Sequence, residues 1–167
     1  IIDFFDRGWR ISPKGAAYIQ DDRRYTFDEI GDLSCRIANG LLSLGLPKET
    51  KGAVWAVNDV TAWTCTLGLW RANMCWIPVG ARNSTDENHH VLDAFDCEVL
   101  FFQAEFAPVV AAMRARLPRI RQWICVDAEP EDFPGALSLQ RWVADQPDTR
   151  PDVLVDMDDV VMLSATG

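Results

Sequence analysis

The sequence predicts an α/β fold: a predominantly parallel sheet covered by helices on both faces, with a small N-terminal β-hairpin. Three observations predict it. From Lys51 onward, short apolar runs too brief for helices alternate with longer segments carrying helical periodicity and capping signals, the rhythm of βαβ units. The runs 98–102 and 122–126 are apolar almost throughout rather than alternating, so they need cover on both faces, as parallel strands do. Finally, a chain of 167 residues that is 49% hydrophobic and 25% charged has enough apolar surface for a full-sized core, which excludes disordered, collagen-like and low-complexity classes.

The elements follow in order. Segments 16–20 and 23–26 flank Asp21-Asp22, a plausible turn, so the fold is expected to open with a hairpin. Thr26 and Glu29 have capping-box spacing, and Tyr25 with Ile30 sits where a hydrophobic staple clamps a helix entry. Ile30, Leu33, Ile37, Leu41 and Leu44 then mark one helical face, stopped by Gly45 and Pro47. Strand 52–57 leads to Asn58-Asp59, which caps a helix running through Arg71 that is apolar almost all round. Strand 75–79 contains Pro78 and therefore ends there or lies at an edge.

Ser84 and Glu87 form a second capping box, opening a helix with Val91, Leu92 and Phe95 inward. Strand 98–102 precedes a helix bearing Phe106, Val109, Val110, Met113 and Leu117, and strand 122–126 follows. The acidic, proline-containing stretch 127–135 reads as a surface loop, and Ser138 caps a short helix through Trp142 and Val143. A polar stretch, 145–159, leads to a last strand at 160–164.

Sixteen basic against twenty-five acidic residues give a formal charge of −9, which repels a polyphosphate backbone and an anionic membrane surface, so nucleic acid is not expected as a partner. Five cysteines without a CxxC pair read as buried reduced thiols. No run approaches the roughly 18 apolar residues of a membrane-spanning helix. A cytoplasmic protein is predicted. His89 and His90 are adjacent, so on a helix they point about 100° apart and do not share one metal. The acidic pairs at 21–22, 131–132 and 158–159 read as solvated turn charges, and Trp55, Trp63, Trp70, Trp76 and Trp123 as core. No catalytic or metal-binding residue emerges.

Ligands of open parallel sheets sit beyond the carboxyl ends of the strands. Of the junctions there, only the last, Ser164 to Gly167, is small and flexible enough to wrap a phosphate, with glycine admitting backbone N–H groups and hydroxyls adding donors. The same letters also end strands in plain turns, and neither GxGxxG nor GxxxxGK[ST] occurs.

The ordered succession of motifs resembles the adenylate-forming enzymes: acyl-CoA synthetases, luciferases and adenylation domains. YTFDEI at 25–30, opening a helix that ends in LGL, is similar to an early passage of that family. KGAVWAVNDVTAWTCTLGLWRANMCWIPVG at 51–80 resembles its core block, ARNSTDENHHVLDAFDCEVLFF at 81–102 the stretch that follows, and DMDDVVMLSATG at 156–167 the approach to its phosphate loop. Asn73 stands where the family usually has glycine, and Ser164-Ala165 replaces a common tyrosine.

The resemblance implies that 1–167 is the N-terminal αβ subdomain of a larger ATP-dependent acyl-CoA ligase for fatty or aryl acids, interrupted at the start of the phosphate loop. Thr166 and Gly167, with Ser164, are its implied ATP-binding residues, in this register or one slipped by a residue or two. ATP, Mg2+ and CoA are the implied co-substrates of the whole enzyme. A small-molecule carboxylic acid and the enzyme's remaining domains are the implied partners, and a homo-oligomer is left open. The piece alone is expected to be inactive and to hold none of these ligands. The alternative is a stand-alone doubly wound domain that binds a small molecule or a protein without catalysis.

Overall fold

The computed structural model describes residues 1–131 and 133–165. In chain order the elements are α1 (Ile2–Ile11), β1 (Ala16–Gln20), β2 (Arg23–Thr26), α2 (Phe27–Ser43), β3 (Lys51–Ala56), α3 (Val60–Arg71), β4 (Cys75–Gly80), α4 (Thr85–Ala94), β5 (Val99–Phe102), α5 (Ala107–Met113), β6 (Gln122–Cys125), β7 (Leu137–Ser138) and α6 (Leu139–Val143). The strands β1 and β2 form the antiparallel hairpin, and the other five make a parallel sheet in the order β4-β3-β5-β6-β7.

Side-chain alternation along this sheet feeds two cores. Ala53, Trp55, Ile77, Val79, Leu100, Phe102, Trp123 and Cys125 face α4 and α5 through Leu92, Val110 and Met113. Val99, Phe101 and Ile124 point the other way, toward Ile37 and Leu41 of α2, Cys65 and Leu69 of α3, and Leu139 and Val143 of α6. Strands that are apolar on both sides thus find helices on both sides, as the unbroken apolar run of β5 predicts.

Local signals operate as read. Thr26 and Glu29 make a reciprocal capping box at the start of α2, and Ser84 and Glu87 do the same for α4. Tyr25 packs against the cluster of Ile30, Val60 and Leu67. Gly45 adopts a φ of 65°, the left-handed conformation that ends α2 at no steric cost to glycine. Helices α2 and α3 approach closely because Gly68 has no side chain: a Cβ there would lie 2.4 Å from Ile37 Cγ2.

Four expectations change. The fold opens on α1, not on the hairpin. That helix has no side-chain cap, and tertiary contacts hold it instead. Its Asp6 pairs with Arg71 of α3, and its Trp9 Nε1 donates to Asp28 Oδ1 at 2.7 Å. The helix expected across 106–117 divides into a 3-10 turn at Ala104–Phe106, α5, and a second 3-10 turn at Arg114–Arg116. Pro108, which lacks an N–H, suits the start of a fresh helix rather than the middle of a long one.

Ser138 occupies the N-cap of α6 and ends β7 paired to Cys125, but makes no side-chain cap bond. Residues 160–164 form a single parallel bridge, Trp76 to Met162, rather than a strand. Trp76 donates to Val161 O and accepts from Leu163 N, both at 3.0 Å. The next rung needs an amide at residue 78, and Pro78 has none. The proline therefore lies on the outer side of the edge strand, where it stops the pairing.

Candidate functional site

Because β3, β4, β5 and β6 run parallel, their carboxyl ends share one edge, and the strand-to-helix junctions gather there. At the β3–α3 junction Asp59 accepts from Ala62 N at 2.9 Å, capping α3. Gln20 of the hairpin reaches over this junction, donating to Asp59 Oδ2 at 3.2 Å and accepting from Val60 N at 2.8 Å. Gln103, 7% exposed, accepts from Val57 N at 2.7 Å and ties the end of β5 to the end of β3. After β4, the buried Asn88 donates to Gly80 O at 2.9 Å and accepts from Asn83. After β6, Asp127 accepts from Ala104 N at 2.8 Å. These side chains occupy the amides of Val57, Val60, Ala62 and Ala104 and the carbonyl of Gly80, so those groups are not directed at a ligand.

The fifth junction is different. Its single bridge runs parallel to β4, so the chain after Leu163 travels toward the same carboxyl edge. Ser164 is exposed there, and its hydroxyl lies 3.5 Å from Ala165 O. Thr166 and Gly167, the other two residues implied in phosphate binding, lie outside the described residues. A cleft of about 260 Å³ opens beside this edge, lined by Val54, Ala56, Asp59, Trp63, Thr66, Trp76 and Pro78. A shallower depression of about 440 Å³ lies beyond it, between Trp63 and the hairpin.

Two sequence readings require correction. Trp55 and Trp123 are core, but Trp63 is 36% exposed, and it meets Trp70 and Trp76 edge to face, all three ring pairs within 6 Å. The terminal segment lies along Trp70 and Trp76, with Trp70 Nε1 donating to Val161 O at 2.9 Å. Asp159 is not a solvated turn charge. Its side chain is 4% exposed and accepts from Lys48 Nζ at 2.6 Å, Asn73 Nδ2 at 2.8 Å and Asp156 N at 2.7 Å. Lys48 above all, then the Asp156 amide and Asn73, hold its carboxyl down at about 2.

Asn73 has a φ of 53°, a conformation asparagine tolerates better than most side chains and glycine accepts freely. That explains how asparagine serves here where the resembling family usually has glycine. Sequence reasoning missed Gln20, Gln103 and Asn88, whose partners are remote or reached through a turn and carry no local signal.

All five cysteines are buried free thiols. Burial pushes Cys97 up to about 12 and Cys65 up as well, away from thiolate chemistry at neutral pH. His90 is exposed and His89 half-buried. Among the described residues no three metal-ligating side chains converge, and no helix is long and apolar enough to cross a membrane.

A parallel sheet with one loosely bridged terminal segment delivered to its carboxyl edge defines the chain as an α/β unit of the open parallel-sheet class. Residues 5–167 match the AMP-binding enzyme family, and the chain belongs to it. It is 30% identical over 130 residues to a methyl-dioxo-octahydroindenyl-propanoyl:CoA ligase of Mycobacterium tuberculosis, covering 76% of this chain and 26% of that one. It is 29% identical over 170 residues to the medium-chain acyl-CoA ligase Mig of Mycobacterium avium, covering 93% and 31%. The chain therefore spans between a quarter and a third of the length of these relatives.

Among solved structures, the anthranilate CoA ligase AuaEII in complex with anthranoyl-AMP superposes with a TM-score of 0.89 at 20% identity, over 96% of this chain and 31% of that one. The N-terminal domain of FACL13 from Mycobacterium tuberculosis superposes with 0.83 at 23% identity, over 96% and 39%. At these identities the structures speak to the fold, which is that of acyl-CoA ligase N-terminal domains.

Proposed function

We propose that residues 1–167 are the N-terminal subdomain of a full-length acyl-CoA ligase acting on a fatty or aryl acid. In the first step the carboxylate attacks the α-phosphate of ATP, giving acyl-adenylate and releasing pyrophosphate. In the second, the CoA thiol attacks the acyl carbonyl and AMP departs. The observation that carries the reading is membership of the AMP-binding family together with the path of residues 160–165, which run toward the carboxyl edge of the sheet.

On this reading Ser164, Thr166 and Gly167 begin the loop that holds the ATP phosphates. Backbone N–H groups admitted by glycine and the two hydroxyls supply donors, which reconciles phosphate binding with a net charge of −9. Mg2+ would neutralise phosphate charge as the pyrophosphate leaves. The cleft walled by Trp63 and Trp76 lies at the same edge. The place of action is the cytoplasm.

The test is acid-dependent exchange of labelled pyrophosphate into ATP by the full-length protein, followed by CoA-dependent release of AMP. Exchange with a fatty or aryl acid is expected, and its absence across both acid classes overturns the reading. Calorimetry on the 167-residue chain is expected to show no micromolar ATP binding, since it spans less than a third of the length of its ligase relatives. Micromolar binding to the piece alone overturns that part.

A further inference from the structure

We propose that Asp159, clamped by Lys48 and Asn73, sets the register of the segment that feeds residues 164–167 and is thereby a positioning residue for the nucleotide phosphates. The inference rests on the phosphate-loop reading above.

Register in a sheet is normally specified by burial, because a slip moves side chains to the wrong place. That control is weak here. The segment makes one bridge, and its side chains Val160 and Met162 are 43% and 47% exposed. A slip of two residues along β4 keeps every side chain on its own face and carries Ser164 by about 7 Å. Trp70 Nε1 and the Trp76 amide and carbonyl serve any carbonyl or amide presented at the right height, so they hold the segment without choosing its register.

Asp159 does choose. One carboxylate oxygen accepts from Lys48 Nζ and the other from Asn73 Nδ2 and Asp156 N, and two charge-assisted bonds meet at the second oxygen. Both partners are built into turns of the sheet. Lys48 lies between α2 and β3, and Asn73, in its left-handed turn between α3 and β4, also donates to Leu154 O at 3.1 Å. Glu49, beside Lys48, accepts from Val160 N at 2.8 Å, while its own amide donates to Asn73 O at 2.8 Å. The two turns and the segment are therefore one hydrogen-bonded unit, anchored at the amino end of β4 and leading to the carboxyl end.

The experiment uses the full-length protein with Asp159→Ala, Asn73→Gly, Lys48→Met and Thr166→Ala, and reads KM for ATP, KM for CoA, kcat and hydrogen exchange at the Leu163 amide. Asp159→Ala is expected to raise KM for ATP about tenfold, the size of a lost charged hydrogen-bond set, with KM for CoA unmoved. The Leu163 amide, which donates to Trp76 O, loses protection. Asn73→Gly keeps a backbone suited to a φ of 53° and removes only the side-chain bonds, so a smaller rise in KM for ATP is expected with an unchanged unfolding midpoint.

Lys48→Met gives the same direction from a side chain that is 63% exposed, and these two variants decide the matter if Asp159→Ala does not fold. A fall in kcat with KM for ATP unmoved, or a Leu163 amide as protected as in the wild type, overturns the proposal. A Thr166→Ala variant with unaltered KM for ATP overturns the phosphate-loop reading and the proposal with it. A raised value there, with Asp159→Ala, Asn73→Gly and Lys48→Met all silent, overturns the proposal alone.

Discussion

Removing Asp6 should unfold this chain more readily than removing its partner. The Arg71 guanidinium is 2% exposed and donates Nη2 to Asp6 Oδ1 at 2.5 Å, Nη1 to Asp6 Oδ2 at 3.3 Å and Nε to Ser34 Oγ at 2.7 Å. In Asp6→Ala the charge stays buried with no counter-charge against it, keeping only the Ser34 hydroxyl and the Phe5 and Trp9 ring faces, a situation that costs about 3–5 kcal/mol. In Arg71→Met the buried Asp6 carboxylate keeps Arg150, which also contacts it from a half-exposed position, so a smaller loss of about 1–3 kcal/mol is expected.

The double variant Asp6→Leu with Arg71→Met leaves no unpaired charge between α1 and α3, and should recover to within about 1 kcal/mol of the wild type or exceed it. Chemical denaturation of the wild type and the three variants reads the comparison. For a chain of this length, 4 kcal/mol corresponds to a fall of roughly 10 °C in the thermal midpoint. An Asp6→Ala cost below about 1 kcal/mol, or a double variant as unstable as Asp6→Ala, refutes the reasoning, because either means that water reaches the guanidinium.

Thr26→Ala and Ser84→Ala should each lower the thermal midpoint by roughly 2–4 °C, the size of a lost N-cap, and together should add, since the two boxes share no partner. Gly45→Ala and Gly68→Ala destabilise for different reasons. The first has open space but a φ of 65°, costing about 1 kcal/mol, whereas the second places a methyl 2.4 Å from Ile37 Cγ2, costing about 1–3 kcal/mol. In an Ile37→Ala background, which removes Cγ2, only the second should cost less. Because the folded Asp159 carboxyl lies below its ordinary 3.8, its contribution is complete above that value and is lost as pH falls through about 2. Tryptophan fluorescence from Trp70 and Trp76 should therefore hold from neutral pH down to 3.8 and change below it, and Lys48→Met should move that change upward.

The parts of the fold legible in the sequence are those whose cause is local. Capping boxes at Thr26 and Ser84, the left-handed stop at Gly45 and the all-apolar β5 are complete within a few residues. Helix α1 was illegible because its supports, Asp6 with Arg71 and Trp9 with Asp28, join residues 65 and 19 apart. The strap over α2 is another such case: Arg36 donates to Gln146 O at 2.7 Å and Asn39 to Pro147 O at 2.8 Å, giving order to a stretch that reads only as polar loop. At the site, the carboxyl edge follows from the βαβ rhythm alone. The burial of Asp159 does not, since an acidic pair in a turn looks identical whether it meets water or Lys48.

Pro78 links these observations. Read as a sign that its strand ends or lies at an edge, it does more, because its missing amide limits the terminal segment to one bridge and leaves Ser164 beyond the last hydrogen bond to the sheet. A full strand there would fix the loop by its own ladder and make the Asp159 clamp redundant. With the ladder cut short, position has to be imposed upstream, by side chains from two turns, while among the described residues Ser164 and Ala165 make no hydrogen bond to the sheet. On the proposed reading, that division suits a loop that must present its amides in one place and still let pyrophosphate depart.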